Sequence, residues 1–284
     1  MSRIARSLSS EFRKAVATRL WWILALVLFL YSAMIAATFA FMFGAMGELT
    51  SGAAGAGADA AVALSERQIA DMVYSSVSSF GYAIPLLLGA LLATGELRHG
   101  TLGLTFTLEP RRCIVLLSKT LVLIVVGAVV GVAGLAGGVG TGAVVISATG
   151  GDPMIVSGET WLLAARALTV LAVWAIIGFG IGVLVRNQAI TIVIALVFTQ
   201  FVEPTLRAAA GFWEWSAHVA KFLPGAATDS FVGASVMNSL STVDPSLGSG
   251  VEPLGMGGGL LVLAVYAFAA VLAGWLLRWR GDVV

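Results

Sequence analysis

Residues 20–43 read LWWILALVLFLYSAMIAATFAFMF, 24 positions without a charge. At 1.5 Å per residue, a helix of that length crosses the roughly 30 Å hydrocarbon core of a bilayer. The run is well beyond the usual 7 to 15 residues of a secretory signal, and no small-x-small site with a polar start follows it, so it reads as a retained span. Working outward, five more apolar runs appear: Met72–Gly95 with serines and Pro85, Thr120–Ile146, Ala167–Val185, Ala189–Val202 and Leu254–Leu277. The fifth is only 14 residues and stops at Glu203-Pro204, so it needs Gln188 or a slant to cross. Lipid offers no partner to a bare backbone group, which leaves helices, and the weak period-2 alternation excludes a barrel. The sequence predicts an all-α membrane protein with six transmembrane helices in a single domain, residues 1–284.

Composition agrees. Of 284 residues, 59% are hydrophobic and 11% charged, with mean hydropathy +0.98; a soluble domain carries about 25% charged residues. A net charge of +1 argues against a nucleic-acid partner. The single Cys113 has no disulfide or metal-site partner, and His99 and His218 lie in polar flanks without ligand spacing, so no metal site is expected.

Charge in the flanks sets orientation. Arg3, Arg6, Arg13, Lys14, Arg19, Arg98, Arg111, Arg112, Lys119, Arg186, Arg278 and Arg280 fall on one side, leaving Arg67, Arg166, Arg207 and Lys221 opposite. The positive-inside rule makes the first side cytoplasmic, which predicts a multi-pass protein of the cell membrane with both termini inside. Most acidic residues lie on the other side.

The segments between spans carry the functional signal. Residues 1–19 space Ile4, Leu8, Phe12, Ala15 and Val16 as one helical face with Arg3, Arg6, Arg13 and Lys14 around the other, an amphipathic helix for the cytoplasmic interface leading into Trp21 and Trp22. The same pattern also fits a basic flank that only fixes topology. Residues 96–113 form a second inward segment whose helix-sized piece, Thr101 to Leu108, is stopped by Pro110, itself suited to the first turn of the next helix. Its leucines and Phe106 shape it to be gripped by something in the cytoplasm; composition alone also fits a solvated basic turn. The outer tract from Ser51 is Gly/Ala-rich and is assigned no role. Residues 203–256 place Phe212, Trp213, Glu214, Trp215, Phe222 and Pro224 together, which reads as short re-entrant helices dipping into the outer leaflet or as an aromatic belt anchoring the sixth span.

The order Glu96-x-Arg98-x-Gly100-Thr101, Pro110-x-Arg112, Lys119 between the second and third spans resembles the loop of type-2 permease subunits of ATP-binding-cassette (ABC) transporters. Ser10-Glu11-Phe12-Arg13-Lys14 with Arg19-Leu20-Trp21-Trp22 is similar to the start of many such permeases, and the short fifth span with its long outer segment extends the likeness over nearly the whole chain. The resemblance implies that Thr101 to Glu109, with Leu102, Leu104, Thr105, Phe106 and Leu108, is a short coupling helix docking on a cytoplasmic ATPase. It makes Glu96 and Arg98 a charged joint to the bundle and lets the N-terminal helix, with Glu11, Phe12, Arg13 and Lys14, brace it. Arg112 and Lys119 would face the ATPase or lipid phosphates, and the outer helices, with Phe212, Trp213, Trp215, Phe222 and Pro224, would gate release. It also implies two ABC ATPase subunits holding ATP and Mg, a second permease copy or paralogue, and export of an amphipathic, drug-like or lipid-like compound. The chain itself would bind no cofactor.

No Gly-x-x-x-x-Gly-Lys-[Ser/Thr] phosphate loop is present, so the chain is not expected to be an ATPase or to hold a catalytic residue. The pairs Gly127/Gly131, Gly134/Gly138 and Gly178/Gly182 have the spacing of close helix packing. Arg166 is expected to snorkel outward. Tyr74, Ser75, Ser78 and Tyr82 are candidates for lining a substrate path, although such serines often bond their own helix. The alternative classes, an ion-coupled carrier or a polytopic membrane enzyme, want ionisable groups inside the spans; the six runs as bounded above contain no acid.

Overall fold

The chain is seen in a computed structural model that describes residues 3–53, 65–210, 214–234 and 253–279. All regular structure among them is helical: α1 Arg3–Ala17, α2 Leu20–Ala53, α3 Glu66–Gly81, α4 Ala83–Arg98, α5 Leu102–Leu108, α6 Arg112–Ala148, α7 Gly158–Val185, α8 Gln188–Val197, α9 Glu203–Ala209, α10 Glu214–Ala220, α11 Pro224–Val232 and α12 Gly255–Gly274, with π-turns at Phe198–Val202 and Trp275–Trp279. Among the described residues six stretches are long and apolar enough to cross a membrane: Leu20–Gly44, Glu66–Arg98, Arg112–Ala148, Gly158–Val185, Gln188–Ala209 and Gly255–Leu277. This is the pattern of a multi-pass membrane protein.

Local chemistry sets the breaks. Ser65 opens α3 with a capping box, its hydroxyl taking the Gln68 N–H while the Gln68 side chain takes the Ser65 N–H. The second span is interrupted at Tyr82, where Pro85 lacks an N–H and its ring crowds the Gly81 carbonyl four residues back. The fifth span does not stop at Glu203-Pro204. A π-turn precedes the pair, Pro204 sits in the first turn of α9 where a missing N–H costs little, and the helix runs on to Ala209. Pro110 lies before α6, not in its first turn; it holds Glu109 extended and so ends α5.

Helix directions follow from matched contacts. Ser32 Oγ on α2 donates to the Gly134 carbonyl at 2.7 Å and Gly44 meets Thr149, so α2 and α6 run together. Gly89 of α4 lies against Ala175 of α7, Gly182 of α7 against Ala93, and Gly180 against Ala270 of α12, so α4, α7 and α12 run together the other way. A Cβ at Gly178 would overlap the Leu86 carbonyl, which makes this glycine a packing requirement. One end of the bundle therefore gathers α1, the starts of α2, α6 and α8, and the ends of α4, α7 and α12. Among the described residues two large apolar clusters fill the interior, one around Tyr74, Leu86, Leu171, Trp174 and Leu263, the other around Leu28, Leu88, Leu123 and Phe179, with a small third at Phe43 and Met72. Large apolar side chains such as Leu30, Phe41, Leu261 and Phe268 face outward, as lipid contact demands.

Candidate functional site

Two charged clusters stand out. The first lies at the α1 end. Gly100, with φ +67°, closes α4 with a left-handed cap: the Gly100 N–H reaches the Leu97 carbonyl at 3.3 Å and the Thr101 N–H the Glu96 carbonyl at 3.0 Å. The chain turns back, so α5 lays Leu102 and Thr105 against the bundle and leaves Leu104 64% exposed. Phe106 packs beside the same core with the Arg112 guanidinium 5.0 Å above its ring.

Beneath α5 four charges meet. Glu11 shares the inward face of α1 with Ala15, and Lys119 falls on the buried α6 stripe that carries Val115 and Val122. Lys119 Nζ contacts Glu11 Oε2 at 2.6 Å and Glu96 Oε1 at 2.8 Å. Lys14 Nζ reaches Glu11 Oε1 at 2.8 Å, Glu96 Oε1 at 3.0 Å and Thr105 Oγ1 at 3.0 Å. Four elements, α1, α4, α5 and α6, are thus joined by two carboxylates and two ammonium groups. Burial works against the charge on Lys14, but the bond to Glu11 and the fields of Glu96 and Glu11 outweigh it and push its pKa above the ordinary lysine value. It stays charged at neutral pH. Such a network adds little net stability, because desolvation offsets attraction, yet removing one partner is costly.

Several sequence expectations are refined here. Glu96 is not paired with Arg98: its partners are Lys14 and Lys119, and Arg98 donates to Gln188 Oε1 at 3.3 Å. Lys119 points inward, only 9% exposed, and does not face outward to phosphates or a partner. Phe12 and Arg13 lie on exposed faces of α1, beside Ile4 and Val16. Glu109 takes the Arg111 N–H at 3.3 Å, Pro110 is exposed, and the Leu108 side chain lies outside the described residues.

The second cluster lies between α9, α11 and the α3–α4 junction. Arg207 Nη2 meets Asp229 Oδ2 at 2.5 Å, and Ser79 Oγ donates to Asp229 Oδ1 at 2.8 Å. Glu203 Oε1 accepts the Gly225 N–H at the start of α11. Tyr82 stacks on Trp174 with ring centroids 4.4 Å apart and donates to the Thr199 carbonyl at 3.2 Å, while Trp174 Nε1 donates to Thr228 Oγ1 at 2.9 Å. Thr228 thus joins α11 to Trp174, well inside α7. Glu203 is 1% and Asp229 4% exposed. Sequence reading missed both, because Glu203 marked the supposed end of a span.

Tyr74, Ser75 and Ser78 are fully buried, the two serines donating to Met72 and Ser75 carbonyls, so with Tyr82 they line no open path in this conformation. Arg166 does not simply reach outward; it donates to the Val232 carbonyl at 3.4 Å. Pro224 is buried at the first turn of α11 and Phe222 is exposed beside Lys221. Phe212 and Trp213 fall outside the described residues, as does the side chain of Trp215. No group of three or more His, Cys, Asp or Glu suited to a metal occurs among the described residues.

The chain matches no protein-family model and no curated protein.

Proposed function

We propose that the chain is the membrane-embedded permease subunit of an ABC exporter, moving an amphipathic, drug-like or lipid-like compound out of the cell. ATP and Mg sit on two separate cytoplasmic ATPase subunits, and a second permease copy or paralogue completes the route. The observation that carries the reading is the two-sided build of α5. Its inner face is bonded through Thr105 to the Glu11–Lys14–Glu96–Lys119 joint, while its outer face offers Leu104 to a partner. A push on α5 reaches α1, α4 and α6 together, which suits rigid-body switching between two states favoured differently by nucleotide. In this reading the joint faces the cytoplasm, α1 lies in the interface, and α9 to α11 are the re-entrant gate at the outer side.

The ion-coupled carrier is the second reading, and the buried Glu203 and Asp229 favour it. One experiment separates the two: place a photo-crosslinker at the exposed Thr107 position, close to Leu104 on α5, in cells and identify the adduct. The exporter reading expects a protein with a phosphate loop, and expects Leu104→Asp to abolish the adduct while the permease stays in the membrane. If no ATPase is captured and the purified chain alone transports in response to an ion gradient, the carrier reading replaces it.

A further inference from the structure

The cluster at α9 and α11 does not balance in charge. Arg207 and Asp229 neutralise each other, and Ser79 occupies the second Asp229 oxygen. Glu203 is then a surplus carboxylate inside the fifth span, 1% exposed, with Oε2 lacking any hydrogen-bond partner among the described residues. Besides Arg207 and Asp229, the ionisable groups that face it are the phenols of Tyr82 and Tyr266, which bring no positive charge; the Tyr82 hydroxyl donates to the Thr199 carbonyl and also approaches the Glu203 carboxyl. The N-terminus of α11 favours a negative charge through the Gly225 N–H, bonded to Oε1, and through the neighbouring Ala226 N–H, yet it brings no full positive charge. A net charge with one unbonded oxygen is expensive in an apolar interior. Neutralisation calls for a cation, and a sealed oxygen is within reach of the smallest.

We propose that Glu203 is a proton-binding site: it takes a proton from water on Oε2 while α11 is seated, and returns it to water when α11 leaves the bundle. The bond formed and broken is Oε2–H, with no electron transfer. Oε1, as the carbonyl oxygen of the neutral acid, keeps the Gly225 N–H. Proton and α11 position are then linked reciprocally, so that loss of the proton favours unseating. This goes beyond the transport reading and holds with or without an ATPase partner.

The test uses the full chain in lipid nanodiscs. Infrared spectra near neutral pH should contain the carbonyl band of a protonated, water-shielded acid that shifts in D2O and is lost in Glu203→Gln. A group that holds its proton only when folded stabilises at low pH and loses that effect as pH rises. The thermal midpoint of the native chain should therefore fall from mildly acidic to mildly alkaline buffer, and that slope should vanish in Glu203→Gln, which mimics the neutral acid and should fold as well as the native chain. Absence of the band, a band that survives Glu203→Gln, an unchanged pH slope in that variant, or failure of that variant to fold each overturns the proposal. A sodium-dependent stabilisation at fixed pH that Glu203→Gln removes assigns the site to a metal cation and overturns it too.

Discussion

The joint at the α1 end and the cluster at α9 and α11 use similar side chains with different balances. The joint sets two carboxylates against two ammonium groups and keeps Lys14 40% exposed. The other sets two carboxylates against one guanidinium, with Glu203 and Asp229 buried and the Arg207 side chain 13% exposed. A balanced, partly hydrated network can hold helices in register through a movement without changing its own charge. An unbalanced, sealed one is sensitive to whatever neutralises it. The first suits a transmission link, the second a gate.

Removing the lone cation of the sealed cluster should have the largest effect. Arg207→Met strips the buried Asp229 carboxylate of its ion-pair partner, a loss of about 3–5 kcal/mol of stability. Thermal unfolding in detergent micelles should record it, with Arg207→Lys recovering part. If Arg207→Met unfolds at the native temperature, the contrast between the two clusters breaks, because the sealed cluster is then not held by charge.

Lys119→Met ranks next. It exposes Glu11 and Glu96 to each other but leaves Lys14 between them, so the cost is about 3 kcal/mol, at the low end for a broken buried pair. The loss should concentrate in α1, read as faster hydrogen exchange of its amides. Pairing Lys119→Met with Glu96→Gln should cost less than the sum of the two alone, since the partners share one network. Strict additivity would dissolve the joint into unrelated contacts.

The same contrast explains what the sequence could reveal. Span interiors were readable because hydropathy is a local signal: residues 20–43 were bounded to within one residue of Leu20–Gly44. Pro110 was readable as the stop of α5 because turn chemistry is local as well, but its place before α6 was not, and the left-handed cap at Gly100 was not read at all. The pairing of Glu11 with Lys119 spans 108 positions and depends on how α1 docks against α6, which no short pattern encodes. Glu203 was hidden by its neighbour, since a Glu-Pro pair ordinarily ends a helix and only the π-turn before it lets this one continue. The role of Asp229 was hidden because α11, nine residues with little periodicity, gives no sign of packing against Trp174.

A smaller effect is expected at Lys14. Its side chain is 40% exposed, so water takes over much of what Glu11 and Glu96 provide, and Lys14→Met should cost no more than about 1 kcal/mol. Chemical denaturation compared with Lys119→Met is the measurement. Equal losses would mean that the joint is not graded by burial, and that its open edge matters as much as its sealed one.

The smallest effect on stability sharpens the comparison most. Leu104 lies on the outer face of α5 with 64% of its surface free, so Leu104→Asp should shift unfolding by no more than about 0.5 kcal/mol. Thr105, one position further, is 8% exposed, accepts from Lys14 and donates to the Thr101 carbonyl at 3.3 Å, so Thr105→Val should cost about 1 kcal/mol. If α5 is a docking element, the ranking reverses in a binding assay: Leu104→Asp abolishes capture of the ATPase at α5, whereas Thr105→Val leaves capture intact and slows transport, because the grip remains and the bond to the joint is lost. Two neighbouring side chains on one seven-residue helix then separate grip from transmission, and equal behaviour in both assays would remove the case for a two-sided helix.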